Sequence, residues 1–267
     1  EPLILMYHGV TSTPPGRVRN ADAKHLHADV FSGHLETVMR YRRFVALDAL
    51  VADLAAGRDV SNAVAITFDD GYENNFSVAA GILQRYRATA TFFLSTGFIG
   101  EKRWIWTDAV EHALDRTSAT ALAVAYLDGP VSLATPAERI LACRRIKAAL
   151  KQMPYERIGE EVERLQSQLG IEASDPIGDY RFMNWAQARE LARAGFGVGA
   201  HTVNHTILSR LPIVDATREI LQSRDHVEHE LGACSRVFAY PNGKAGDYTD
   251  DVRAICQRHF DGAVTTV

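Results

Sequence analysis

The sequence predicts an α/β fold built on parallel strands, either a barrel or a doubly wound sheet, with one mostly helical insertion. Three observations carry this. Short apolar runs alternate with helical patterns over residues 3–100 and 182–267. The runs are apolar almost throughout instead of alternating, as expected of strands covered on both faces. Residues 101–180 break the rhythm with helical patterns only. A chain of 267 residues, 46% hydrophobic and 23% charged, suits one domain with or without an insertion.

The expected strands are 3–8 (LILMYH), 63–68 (AVAITF), 90–95 (ATFFLS), 196–200 (FGVGA), 236–240 (RVFAY) and 262–267 (GAVTTV). Between them the spacing predicts helices over 31–43, 47–57, 74–86, 184–194, 214–231 and 248–258. Asp215, with Asp247 or Thr249, stands where a helix would begin, and Gly57, Gly195 and Gly232 stand where helices would stop. The insertion opens with EKRWIWTDAVEHALD and carries two further helical patterns, 136–152 and 155–169.

Composition excludes some partners. Twenty-nine basic and thirty-three acidic side chains nearly balance, so no nucleic acid or anionic membrane is favoured. No apolar stretch reaches the roughly twenty residues of a membrane span. The start, EPLILMYHGV, has no initiator Met or basic leader and reads as trimmed, which leaves a removed signal peptide open. Cys143, Cys234 and Cys256 are few, odd in number and far apart, which favours buried free thiols over disulfides or a zinc-thiolate site.

Three polar segments follow expected strands directly. Asp69-Asp70 ends AVAITF, His201 and His205 follow FGVGA, and Pro241-Asn242-Gly243 follows RVFAY. In parallel α/β folds the carboxyl ends of strands converge, so segments far apart in sequence can meet there. If the chain turns helical after Ala200, the i, i+4 spacing puts His201 and His205 on one face. Two imidazoles and a carboxylate can hold a divalent transition ion with positions left open. The bland alternative is a pair of surface histidines, but a DD pair at another strand end tips the balance toward a metal site. One Asp would complete the triad, and the other, pointing elsewhere, would stand beside it as a general base. A helix N-cap would use only one Asp. The PNG turn could aim a backbone N–H at a developing oxyanion, or be a plain strand exit.

TFDDGY (67–72), HTVNH (201–205) and FAYPNG (238–243), taken in order, resemble the polysaccharide deacetylases, carbohydrate esterase family four. LILMYHGV and MNWAQARELARAGFGVGAHTVNHTILSRL (183–211) resemble the branch associated with bacterial exopolysaccharides. The resemblance covers residues 3–100 and 182–267. It implies a distorted (β/α) barrel with fewer than eight regular strands. It implies a zinc-like divalent cation, Zn2+ first, on Asp70, His201 and His205, with Asp69 as base. The implied reaction removes acetyl groups from a polysaccharide containing N-acetylhexosamine, in the bacterial periplasm or outside the cell. Members often carry Arg where this chain has Ala239, and a late Leu-x-His segment supplying a general acid has no counterpart before GAVTTV. Either the carboxyl-terminal end of the barrel lies outside this sequence or another group donates the proton; His8 is the candidate, against the bland reading of a structural histidine at a strand end, and Asp69 could return its own proton.

Further candidates for contact with substrate are Tyr72, Tyr240, Pro241 and Trp106. Trp104, Trp106 and Asp108 open the insertion and could line a glycan groove or pack it. Trp185 reads as packing, and His25, His27 and His34 as surface residues of a polar early loop. Thr202 and Asn204 flank the expected ligands and could orient an imidazole. Two other functions fit the same residues: a metal hydrolase acting on a small cyclic amide or ester, and a glycan-binding protein with impaired catalysis.

Overall fold

The computed structural model describes residues 1–14, 18–172 and 174–266. The chain begins with β1 (Leu3–Tyr7), β2 (Gly9–Thr11), β3 (His25–His27), α1 (Ala28–Tyr41), β4 (Arg43–Phe44) and α2 (Leu47–Ala55). It continues through β5 (Ala63–Phe68), a π-helical turn (Asn75–Ala79), α3 (Ala80–Arg85) and β6 (Thr91–Leu94). Next come α4 (Trp106–Arg116), β7 (Ala121–Leu122), β8 (Val131–Ser132), α5 (Pro136–Leu150) and α6 (Tyr155–Gln168). It finishes with α7 (Trp185–Arg193), β9 (Gly197–Ala200), α8 (Ile213–Leu231), β10 (Val237–Ala239), α9 (Asp250–His259) and β11 (Gly262–Val264).

Two compact units result. The first takes Glu1–Ser12, His25–Lys102 and Arg181–Val267, and the second takes Thr13–Lys24 and Arg103–Tyr180. In the first, β1, β5, β6 and β9 form a parallel sheet in that order, with β4 also on β5. β10 and β11 pair in parallel, and β10 follows beside β9, where Ser235 N donates to Val198 O at 2.7 Å. This is a distorted (β/α) barrel with few regular strands.

β5 is buried at every position, which accounts for its unbroken apolar run. Its two faces separate with period two. Ile66 and Phe68 join Phe92, Leu94 and Val198 in a core shared with Phe31, Leu35, Leu83 and Leu191 of the helices. Phe68 stacks on Phe92 at 5.0 Å, and Phe92 meets the Phe196 edge at 5.5 Å. Ala63 and Ala65 pack on the other face with Phe93, Val237, Ala239 and Leu47 and Leu50 of α2. On that inner side a cavity of about 360 Å3 is lined by Ile4, Met6, Thr67, Asp69, Ala239 and Val264, among others.

Helix ends follow local chemistry. Asn184 and Gln187 form a capping box on α7, and Thr249 caps α9 through Val252 N. Gly232 closes α8 at φ 78°. Asp215 lies in the first turn of α8, whose cap position is Pro212.

The second unit has its own core, with Val110 and Leu114 of α4, Ile146 and Leu150 of α5, and Val162 and Leu165 of α6. Residues 18–24, which carry no periodic pattern, join it through polar contacts with α4. Asp115 accepts from Val18 N and Arg19 N, Glu111 from Asn20 N, and Lys24 Nζ reaches Asp108 at 2.6 Å. Trp104 and Trp106 are partly buried against this core, and Trp104 lies 5.2 Å from the ring of Tyr180. No helix among the described residues is long and apolar enough to cross a membrane. All three cysteines are free; Cys143 and Cys256 are buried and Cys234 is half-buried.

Replacing Phe92 by Ala removes a ring held on two sides in the main core. It should lower unfolding stability by about 3–5 kcal/mol. Urea unfolding would show an earlier midpoint, and an unchanged midpoint would contradict this packing.

Candidate metal centre

The ends of β5, β6, β9 and β10 meet. The β1–β5 ladder runs to Tyr7 beside Phe68, and Asp69 N extends it by donating to Tyr7 O at 2.9 Å. Asp69 is thus still strand-like, and its side chain follows Thr67 into the inner cavity. The next residue leaves the strand, with Asp70 at φ 73° and Gly71 at φ 91°. Two left-handed residues in succession reverse the chain. The turn is held by Ser95 N on Asp70 O at 3.1 Å and Met183 N on Gly71 O at 3.0 Å. A π-helical turn follows, a distortion common beside functional sites.

His201 leaves β9 with its N–H on Leu94 O. The chain then makes an irregular loop and not the helix expected after Ala200, because Thr202 at φ 64° and His205 at φ 53° are left-handed. The imidazoles converge all the same, with ring centroids 5.1 Å apart. His205 Nε2 lies 3.1 Å and His201 Nε2 3.6 Å from Asp70 Oδ1. One ligand atom from each of Asp70, His201 and His205 lies within 4.8 Å of the others. Ligands about 2.0–2.1 Å from a tetrahedral ion stand about 3.3 Å apart, so the donor set fits a divalent cation.

The surroundings fit as well. His201 Nδ1 lies 2.8 Å from Ala239 O, which assigns the proton to Nδ1 and leaves the Nε2 lone pair, on the side of Asp70, available to a cation. Burial holds the His201 imidazole below its ordinary pKa, which favours the neutral ligand form. Asp69 Oδ1 is buried without a hydrogen-bond partner in the structure. Burial pushes Asp69 up to about 6; His201 and His205 oppose the rise and Asp70 adds to it.

The sequence model of the polysaccharide deacetylase family matches residues 56–259. The chain belongs to the polysaccharide deacetylase family. No curated protein matches the sequence. Solved deacetylases share the fold. One is the Streptococcus pyogenes deacetylase PplD in complex with acetate: 20% identity, TM-score 0.61, covering 98% of this chain and 82% of that one. Another is IcaB from Ammonifex degensii: 17% identity, TM-score 0.60, covering 97% and 80%. A third is a de-N-acetylase from Aggregatibacter actinomycetemcomitans: 15% identity, TM-score 0.52, covering 97% and 85%.

The other residues singled out in the sequence take varied places. His8 directly follows Tyr7 at the β1 end, and its carbonyl accepts from Asn75 Nδ2 at 2.8 Å. Asn242 stands at φ 60° in the turn after β10, with its carbonyl held by Thr266 Oγ1 at 2.7 Å. Pro241 and Tyr240 are buried, and Tyr240 stacks on Tyr248 at 4.3 Å. Tyr72 is fully buried between Phe182 and His25, so it packs the helix entry and lines no groove. His25 is likewise buried and not a surface residue, since it fills the space beside Gly9 and lies 2.9 Å from Asn74 Nδ2. His27 and His34 are exposed. Trp106 stays with the core of the second unit.

Sequence reasoning missed the residues that hold the histidine loop. Glu219 of α8 accepts from Val203 N, Asn204 N and Asn204 Nδ2 at 2.7–2.9 Å. Thr96 N and Gly97 N donate to Thr202 O and Val203 O. A Cβ on Gly97 would lie 2.8 Å from Val203 O, so only glycine allows this approach. These partners lie far away in sequence and match no local pattern.

The folded metal-free chain binds a proton on Asp69 more tightly than the unfolded chain, whose carboxyl titrates near 3.8. The stability this proton lends is full below pH 3.8 and is lost as pH rises through about 6. Asp69→Asn should therefore stabilise the metal-free protein at pH 8, by on the order of 3 kcal/mol. The gain should vanish near pH 3.5. Denaturant unfolding at the two pH values checks this, and equal effects at both would contradict it.

Proposed function

We propose that the chain is a metal-dependent deacetylase that removes acetyl groups from an N-acetylhexosamine-containing polysaccharide, with Zn2+ as the cation. The observation that carries this reading is the Asp70–His201–His205 donor set with a second buried carboxylate, Asp69, directly beside it in the chain. Membership of the polysaccharide deacetylase family supports the substrate class. A solved fold relative named as a de-N-acetylase supports an N-acetyl target. The exopolysaccharide branch and a site of action outside the cytoplasm belong to the same proposal.

Asp70, His201 and His205 would hold the cation, which when bound polarises the acetyl carbonyl and makes water more acidic. Asp69 takes a proton from the attacking water as it adds to the carbonyl carbon. The turn at Asn242 directs a backbone N–H toward the developing oxyanion. The C–N bond then breaks, and the amine leaves only after gaining a proton, because an amide anion is too poor a leaving group. Asp69 returns the proton it took, releasing acetate and a free amine on the sugar. His8, at the rim one residue past Tyr7, is the alternative donor. Tyr240 and Pro241 shape the turn behind Asn242.

Incubating Zn2+-loaded protein with N-acetylglucosamine oligomers should release acetate. Asp69→Asn should cut release by at least about a hundredfold while bound zinc stays near one per chain. Zinc lost from Asp69→Asn would reverse the roles of the two acids. Oligomers bound without acetate release would favour a glycan-binding protein instead. His8→Ala should leave release within a few fold, and a hundredfold loss would transfer the proton donor to His8.

A further inference from the structure

We infer that Glu219 is a positioning residue for the metal centre, fixing His205 through the backbone of the two residues before it. This rests on the reading of Asp70, His201 and His205 as cation ligands. The Glu219 carboxylate receives three hydrogen bonds from one short segment: Val203 N at 2.9 Å and Asn204 N at 2.8 Å on Oε2, and Asn204 Nδ2 at 2.7 Å on Oε1. Two successive backbone N–H groups on one anionic oxygen fix the orientation of both peptide planes. The next residue is His205, held at φ 53°.

His205 has less support of its own than its partner ligand. His201 sits at a strand end, with its ring nitrogen on Ala239 O. His205 lies in irregular chain between Ala200 and the 3-10 turn at Leu208, and its side chain is 15% exposed. A left-handed conformation is unfavourable for a residue with a Cβ, so without anchoring the segment would relax. Glu219 supplies that anchor from a rigid element. It stands on α8 beside Ala216, Ile220 and Ser223, which are buried. Two turns further on, His226 Nδ1 pairs with Thr96 Oγ1 at 3.0 Å, tying the same helix to the loop after β6 whose Thr96 N and Gly97 N donate to Thr202 O and Val203 O.

The test measures Zn2+ affinity of the full chain by competition with a chromophoric chelator, and the absorption of the Co2+ form. Glu219→Ala should fold, as judged by far-UV circular dichroism of metal-free protein. It should bind Zn2+ about 10–100-fold more weakly, and its Co2+ spectrum should change toward that of His205→Ala. Glu219→Gln should lose less, about three- to tenfold. Its oxygen can still accept both backbone N–H groups, but its NH2 faces the Asn204 amide donor. A Glu219→Ala protein with wild-type affinity and spectrum overturns the inference and leaves the metal site standing. A wild-type chain that takes up no Zn2+ overturns the metal site and the role of Glu219 together. Should Glu219→Ala not fold, Glu219→Gln decides: threefold weakening with an altered spectrum supports the inference, and wild-type behaviour overturns it.

Discussion

The hydrogen bond between His201 Nδ1 and Ala239 O, 2.8 Å long, is the constraint on which the rest of the site depends. A buried imidazole can offer Nε2 as a donor only if Nδ1 carries the proton, and a carbonyl opposite Nδ1 demands that tautomer. The bond also ties the end of β9 to the end of β10. The ring is thereby fixed in plane and in protonation. Asp70 is then brought to it by a different route, through the hydrogen bond of its own carbonyl with Ser95 N on β6's exit. Four strand ends are thus cross-linked, β5 to β6 and β6 to β9 by backbone groups and β9 to β10 by the His201 ring.

The frame stores strain. Of the seven non-glycine residues with positive φ among those described, Asp70, Thr202, His205 and Asn242 belong to the three polar segments at strand ends. Such residues cost on the order of 1–3 kcal/mol each and persist only where the surroundings hold them. Thr202 is the most demanding, because its branched Cβ fits this region poorly. The carbonyls of three of these four residues, and of Val203, are engaged: Asp70 O by Ser95 N, Thr202 O by Thr96 N, Val203 O by Gly97 N, and Asn242 O by Thr266 Oγ1. Together with the Glu219 carboxylate these bonds offset the strain. That accounts for glycine at 97, where a methyl would push Val203 O away.

The parallel strands and most helices were legible because burial on two faces writes itself into a run such as AVAITF, and amphipathic helices write a period of 3.6. The convergence of Asp70, His201 and His205 was legible for a related reason: a charged or imidazole side chain directly after an apolar strand has no packing role to explain it. The shape of the loop between His201 and His205 was not, since an i, i+4 spacing fits a helix as well as this left-handed path. Neither was the burial of His25 and Tyr72, which pack against each other with ring centroids 4.7 Å apart, although 47 positions separate them. Residues 18–24 join α4 by side chains that accept backbone N–H groups, a contact that leaves no periodicity to read.

The two adjacent acids part company for a reason that lies in the strand and not in the acids. Asp69 N still completes the ladder on Tyr7, so Asp69 obeys the alternation of β5 and turns inward with Thr67 toward the cavity. Asp70 is the first residue past the ladder, and its φ of 73° swings its carboxylate toward the imidazoles of β9's exit. Two carboxylates at the same charge and almost the same depth therefore meet different neighbours. One meets two imidazole nitrogens and suits a cation; the other lines the inner cavity beside Thr67. A strand ending one residue earlier would put Asp69 at the turn and would move Asp70 out of reach of both histidines. The division of labour proposed for the pair is thus a consequence of where β5 stops, which is set by the Asp70-Gly71 turn and by the two backbone bonds that receive it.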